Sequence, residues 1–369
     1  MRISPLRSRQ RAALALLLVL IGSDVTRSTA PASVAMFEEL HGLHGSIITA
    51  ASADGTAVAG VGEGVGQDGL FSRAFRWDGA GPVQWLEHTT VRAISADGRV
   101  VLVERQNPER VYRWLPDGPL LPITDMPGSL AINDDGSAIA GFVSQGFTRG
   151  GQADSSVGAP DVGALFLWTE RDGYRLLTLP KGVRDAEPAY FSDDGHTLYG
   201  RGAREGWDRV LVRWQDGEPI EAPLTPLIQT AYDWQAYLLP LAEADTLDLR
   251  YPNPGVSGGG ESMFIEWVSA DRDVILGIGS WIGTPMIWTR ANGACRLTDW
   301  LNALGVTYPR DAYLQGLLTS RDGRMLFGRK RNLALTDDTP WRIVAPTPLG
   351  QIRVSSSPYC GGSLKEAEG

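Results

Sequence analysis

Apolar and polar positions along this chain alternate in runs of four to seven residues, broken by turn residues, and a period of two predicts strands rather than helices. One such pattern returns six times: Ser or Asn, any residue, Asp, usually Gly, two residues, an aliphatic, one residue, usually Gly. The copies start at Ser52, Ser95, Asn133, Ser192, Ser269 and Ser320. Asp-Gly between alternating runs predicts a two-residue hairpin, because Gly takes up the positive φ of that turn without strain. The Ser or Asn two positions earlier is placed to hydrogen-bond the turn. A second pattern follows the first five copies, a β-rich segment ending in Trp: Ala74–Trp77, Val111–Trp114, Leu165–Trp168, Leu211–Trp214 and Met286–Trp288. The sixth equivalent, read at Leu333–Thr336, lacks the Trp. Further turns come next, at Asp78-Gly79, Asp117-Gly118, Asp172-Gly173, Asp216-Gly217 and Asn292-Gly293, and then a fourth apolar run such as Val83–Leu86 or Leu120–Ile123. Each unit therefore reads as a four-stranded antiparallel meander. The repeat aspartates, at 54, 97, 135, 194, 271 and 322, are spaced as units of a β-propeller would be.

The expected fold is thus all-β, a propeller of four-stranded antiparallel blades over residues 33–348, with six blades favoured and seven as the alternative. Both Met36–Leu43 and Trp341–Ala345 look like a fourth strand for the last unit. The long gap between Asp194 and Asp271 has room for a degenerate blade, although Thr230–Ala244 reads as partly helical and Asn253–Gly260 as a loop. Insertions are expected at about 142–163 and 223–262, and a C-terminal tail at 349–369. In a meander both tight turns of every unit fall on one face. The variable loops fall on the other, where binding residues concentrate in rigid scaffolds.

Residues 1–32 read as an export signal. Four arginines precede Ala12–Gly22, an 11-residue apolar run too short to span a bilayer, and Ala30-Pro31-Ala32 offers a cleavage site. Five arginines and one aspartate leave with that segment, taking the formal charge from −9 to −13. An acidic chain repels phosphate backbones, so nucleic-acid partners are disfavoured, and the mature chain offers no membrane-spanning segment. A secreted or periplasmic location suits a disulfide between the two cysteines, Cys295 and Cys360.

The units resemble the HAF-type extracellular repeat, which joins an S-x-D-G hairpin to an A-F-x-W strand. Arg73-Ala74-Phe75-Arg76-Trp77 is the nearest copy, with Arg73 where that family often has His. The first turn also resembles the TolB-like propeller repeat. The resemblance spans residues 37–345; it implies an exported propeller-like domain and carries over no catalytic residues.

Nothing in the sequence fixes a reaction. His41, His44, His88 and His196 stand without partners at metal-ligand spacing, and there is no G-x-S-x-G elbow, phosphate loop or calcium loop. No cofactor or metal is expected. The paired carboxylates Asp134/Asp135 and Asp193/Asp194 belong to the repeat turn. The best ligand-binding candidates are loop residues, Trp207 with Asp208 and Trp281, because aromatic rings near carboxylates suit sugars and peptides. The expected function is a binding module of the cell envelope, its partner a protein or a glycan. A propeller lyase or hydrolase acting on extracellular polymers, or a passive surface protein, are the alternatives.

Overall fold

The computed structural model describes residues 35–66, 69–106, 109–124, 130–143, 164–192, 194–204, 209–220, 225–226, 250–251, 261–269, 273–279, 283–331, 338–354 and 360. These residues form a β-propeller of six antiparallel blades. From the channel outward, blade 1 is Ser46–Ala51, Val58–Gly66, Gly69–Trp77 and Gln84–Glu87. Blade 2 is Thr89–Ile94, Val101–Gln106, Glu109–Trp114 and Leu121–Thr124. Blade 3 is Leu130–Ile132, Ala138–Val143, Ala164–Thr169 and Gly173–Leu176. Blade 4 is Asp185–Phe191, Thr197–Ala203, Arg209–Gln215 and the short Glu218–Pro219, with Thr225–Pro226 also paired to its third strand. Blade 5 is Glu261–Val268, Val274–Gly279, Pro285–Thr289 and Gly293–Arg296, and Arg250–Tyr251 adds a strand to its inner edge. Blade 6 is Tyr313–Thr319, Met325–Arg331 and Asp338–Val344, completed by Met36–Glu39 from the start of the chain.

Blade 6 settles the competition between the two closing segments. Trp341 lies in the third strand and Met36–Glu39 in the outer one, so both belong to the same blade. The third strand is Asp338–Val344 rather than Leu333–Thr336, which lies outside the described residues. In register, Gly328 faces Trp341 as Gly60 faces Phe75, and Leu326 faces Ile343 as Val58 faces Trp77. Pro340-Trp341-Arg342-Ile343 is therefore the sixth copy of Ala74-Phe75-Arg76-Trp77. Ion pairs Lys330–Glu39 at 2.7 Å and Arg342–Glu38 at 2.8 Å hold the closing strand.

That register explains the last glycine of the repeat. A Cβ at Gly60 would lie 2.7 Å from the Phe75 ring, at Gly141 2.3 Å from Phe166, and at Gly328 2.1 Å from Trp341. The bare glycine backbone is what the third-strand aromatic packs on. Trp114, Trp214 and Trp288 are buried and Trp77 and Trp168 half-buried, which locates the tryptophan pattern mainly in the core.

The repeat hairpin is longer than the two-residue loop expected. In blade 1 the ladder closes with Ser52 N–H donating to Ala57 O at 2.8 Å, leaving four residues in the loop. The buried Ser52 hydroxyl explains this. Its Oγ accepts from Ala57 N–H (2.9 Å) in place of the Ser52 carbonyl, which turns inward to accept from Gly55 N–H (3.0 Å). The same hydroxyl donates to Asp54, which also accepts from Thr56 N–H. Ser95/Asp97, Ser192/Asp194 and Ser320/Asp322 repeat the arrangement, and Asn133 serves through its side-chain oxygen. The hairpin glycine sits at φ of about 70° in blades 1, 2, 3, 4 and 6, a conformation open to Gly at little cost.

Two further segments pack against blade 5. Helix α1, Leu297–Ala303, buries Leu297, Trp300 and Leu301 completely. After blade 6 the chain returns: Leu349 is buried, Asn292 clamps Ile352 and Val354, and a disulfide joins Cys360 to Cys295 on the outer strand of blade 5.

Candidate functional site

The two tight turns of each blade lie side by side on one face. Glu170 N–H donates to Ser137 O in blade 3, Asp216 N–H to His196 O in blade 4, and Arg290 N–H to Asp273 O in blade 5, all at 2.9–3.0 Å. On this face the blades are also joined to each other. Asp322 N–H donates to Ala53 O, Ala53 N–H to Ala96 O, and Asp97 N–H to Asp134 O, linking blades 6, 1, 2 and 3 at 2.7–3.1 Å. A Cβ on Gly98 would lie 2.6 Å from Ala57 of the blade before it, and one on Gly136 2.4 Å from Val100. The motif's glycine thus serves twice, once for its own turn and once for the approach of its neighbour.

Arg76 adds a further tie. It is buried, and its guanidinium donates to Gly98 O and Arg99 O of the next blade's turn. At the centre, Arg321 of blade 6 donates to Asp134 of blade 3. Those blades are opposite in a ring of six, so this ion pair spans the channel. On the turn face, backbone hydrogen bonds thus join blades 6, 1, 2 and 3, and the Arg321–Asp134 pair bridges it.

Charge in the turns supports this packing. Burial pushes the Asp54 carboxyl up, but hydrogen bonds from Thr56 and Ser52 outweigh it and hold the carboxyl below its ordinary value. The Ser137 hydroxyl and amide lower Asp135, and the Ser192 hydroxyl with His196 N–H lowers Asp194. Carboxyls depressed in the fold contribute stability that is complete above the unfolded value near 4 and lost as pH falls through the folded values. The unfolding temperature should therefore fall as pH drops below about 4. An Asp54→Asn, Asp135→Asn, Asp194→Asn variant, which keeps the acceptor and removes the charge, should show a flatter acid limb by calorimetry.

The opposite face is built differently. Trp207, Asp208 and Trp281 lie outside the described residues; the strand ends flanking them, Ala203, Arg209, Gly279 and Pro285, belong to second-to-third connections of blades 4 and 5, on the loop side. Between the two faces, on the turn-side half of each strand, the inner strands of five blades bulge. The register shifts at Thr49, Arg92, Ala189, Glu266 and Leu317, each three residues before the repeat Ser. Thr49, Arg92 and Glu266 are exposed.

Polar side chains gather around two of these bulges. Gln315 donates to Glu266 at 3.0 Å and accepts from Arg329 at 2.8 Å. Arg329 reaches Asp338 at 3.6 Å, and Asp338 takes a two-pronged bond from Arg331 at 2.6 and 3.2 Å. Tyr313 donates its hydroxyl to Gly283 O at 2.8 Å, and its pKa is raised by burial and by the Glu266 charge. On blade 2, Arg92 is clamped to the buried Glu104. Sequence reasoning missed this set because its members follow no motif. The available signal was polar residues at inner-strand positions that other blades fill with Ile47 or Leu317.

Two of the four histidines make evident local contacts. His88 meets the Phe71 ring at a tilt of 30° with centroids 4.5 Å apart, and His196 pairs with Asp216 at 2.8 Å, which raises its pKa. Among the described residues no three His, Cys, Asp or Glu side chains are grouped as metal ligands would be. A shallow, open depression of about 360 Å³ over Ser137, Thr169, Glu170 and Arg171 lies at the turn face and gathers no comparable polar set.

No family model matches the chain, and no curated protein matches it. Solved structures do. The β-propeller domain of the Trilobed protease from Pyrococcus furiosus, described with an open velcro topology, aligns over 80% of this chain and 95% of its own at 10% identity and a TM-score of 0.50. Pyrococcus horikoshii acylaminoacyl peptidase aligns over 78% of this chain at 12% identity and a TM-score of 0.48; the chain spans about half (49%) of that protein's length. TolB from Acinetobacter baumannii aligns over 80% of this chain and 65% of its own at 11% identity and a TM-score of 0.36. At such identities the likeness to the Pyrococcus furiosus domain speaks for the propeller fold alone.

Proposed function

We propose that this chain is an exported, HAF-type repeat propeller that acts as a binding module of the cell envelope or extracellular space, taking a protein or glycan partner on its loop face. The asymmetry of the two faces carries this reading. The turn face spends its polar groups on joining blades, and Arg321–Asp134 bridges its centre. The loop face carries the variable second-to-third connections, while the exposed, clamped side chains Glu266 and Arg92 lie part-way along the inner strands between the two faces. The disulfide is compatible with an oxidising compartment, and the apolar run Ala12–Gly22 supports export.

The test is an affinity capture from the native envelope with residues 33–369 as bait, read by mass spectrometry. A Trp207→Ala, Trp281→Ala variant serves as control. A partner retained by the parent and lost at least tenfold in the variant is the expected result. Equal retention by both would remove the loop tryptophans from the site.

A further inference from the structure

The second and third strands of blade 1 make a longer hairpin than those of the other blades. They run nine residues each, Val58–Gly66 and Gly69–Trp77, against five to seven elsewhere. The flanking strands stop short of its tip. The first begins at Ser46, opposite Gly62, and the fourth ends at Glu87, opposite Arg73. Among the described residues, Glu63–Gly66 and Gly69–Ser72 therefore pair only with each other, and they project on the loop side with open edges.

Ala74 shows which backbone groups lie on the outer edge. Its N–H donates to Thr89 Oγ1, which in turn donates to Leu86 O of the fourth strand. Alternate residues of an antiparallel strand point the same way, so Ser72 and Leu70 also turn their N–H and C=O groups outward. The chain leaves the sheet at His88, at a φ of 55°, so the fourth strand does not cover them. Natural edges are blunted by charge, proline or a bulge; Gly69-Leu70-Phe71-Ser72 has none of these.

The two sides of the tip differ. Val65 and Leu70 are directly paired and are 82% and 72% exposed, the most exposed large apolar side chains among the described residues. On the other side Phe71 lies against Gly64 and meets the His88 ring, and Arg73 stacks 3.8 Å over Trp85. Glu87 stands opposite Arg73, yet among the described residues no carboxylate pairs with that guanidinium, and its Nε makes no hydrogen bond. Stacking on an aromatic face fixes a guanidinium and leaves its N–H edge for a carboxylate.

We infer that the tip of blade 1 binds an extended segment of a partner protein as an added strand along Leu70–Ser72. Its apolar side chains lie on Leu70 and Val65, and its acidic ones, on the opposite side, lie beside Arg73. This deepens the binding-module reading, rests on it, and selects a protein over a glycan. Hydrogen bonds to the open edge call for a peptide backbone, and strand alternation presents both kinds of side chain at once.

The test is titration of the exported chain with a capped heptapeptide of alternating valine and glutamate, with its valine–lysine counterpart, and with the valine–glutamate peptide N-methylated at the valines, whose amides would face the hairpin. The valine–glutamate peptide should bind at least about tenfold more tightly than the lysine form, and should protect the Leu70 and Ser72 amides from hydrogen exchange. Arg73→Gln should remove the preference for glutamate. Val65→Thr with Leu70→Thr, residues that suit a strand, should weaken both peptides about tenfold with circular dichroism unchanged. No binding of the valine–glutamate peptide, equal binding of the two, or binding that survives N-methylation would overturn the inference. Undiminished capture of the envelope partner by the Val65→Thr, Leu70→Thr protein would refute the hairpin site and leave the proposed function standing.

Discussion

Replacing Trp341 by alanine should lower the unfolding free energy by about 3–5 kcal/mol, the cost of emptying a buried aromatic site. Trp341 is fully buried. On one side it lies against Gly328, and on the other its ring meets Phe37 of the closing strand at 5.5 Å. The cavity would open between the last blade and the strand that completes it, so the loss falls on ring closure. Trp341→Phe is the control. The indole N–H makes no hydrogen bond, so the smaller aromatic forfeits packing alone and should cost no more than about 1.5 kcal/mol. Urea denaturation followed by tryptophan fluorescence and circular dichroism measures both. A Trp341→Ala protein as stable as the parent would contradict the placement of this residue in the third strand.

Breaking the disulfide should have an effect of similar size. Cys295 and Cys360 are 65 residues apart, and closing a loop of that length in the unfolded chain is worth about 4 kcal/mol in the chain-entropy model. The native consequence is local. Released from Cys295, the returning segment keeps Leu349 in the core and the Asn292 clamps on Ile352 and Val354, so the fold should persist with lower stability. Cys360→Ser with Cys295→Ala should lower the melting temperature by several degrees under non-reducing conditions, and reductant should bring the parent to the same value. A parent insensitive to reductant would show that the bond does not form in solution.

The architecture was legible because its punctuation is repeated. The buried Ser and the hairpin Gly of S-x-D-G each serve a structural need that recurs in nearly every blade, so the pattern survives where individual strands vary. The last blade was less legible for a physical reason. Its third strand carries Pro340, which has no N–H for a ladder and argues against an interior strand; here its carbonyl accepts from Leu40 N–H at 2.8 Å. Ile343 also stands where the other blades have Trp, so the tripeptide that marks the third strand was missing. Register with Met325–Arg331 shows the equivalence that residue identity hides.

The site was hardly legible at all. Loop tryptophans are visible as residue types, and they guided the choice of Trp207 and Trp281. Glu266, Gln315 and Arg329 are scattered over 64 positions of sequence and meet only because blades 5 and 6 pack side by side. The Arg321–Asp134 bridge joins residues 187 apart. That bridge depends on blade number, since a ring of seven would not set blades 3 and 6 opposite one another.

A structural turn face and a binding loop face are distinguished most directly by hydrogen–deuterium exchange of the exported chain, free and with its captured partner. Added protection is predicted in the second-to-third connections of blades 4 and 5 and in the loop-side halves of their inner strands, with the hairpins at Ser52, Ser95, Asn133 and Ser320 unchanged. Protection confined to those hairpins would contradict this division of the two faces.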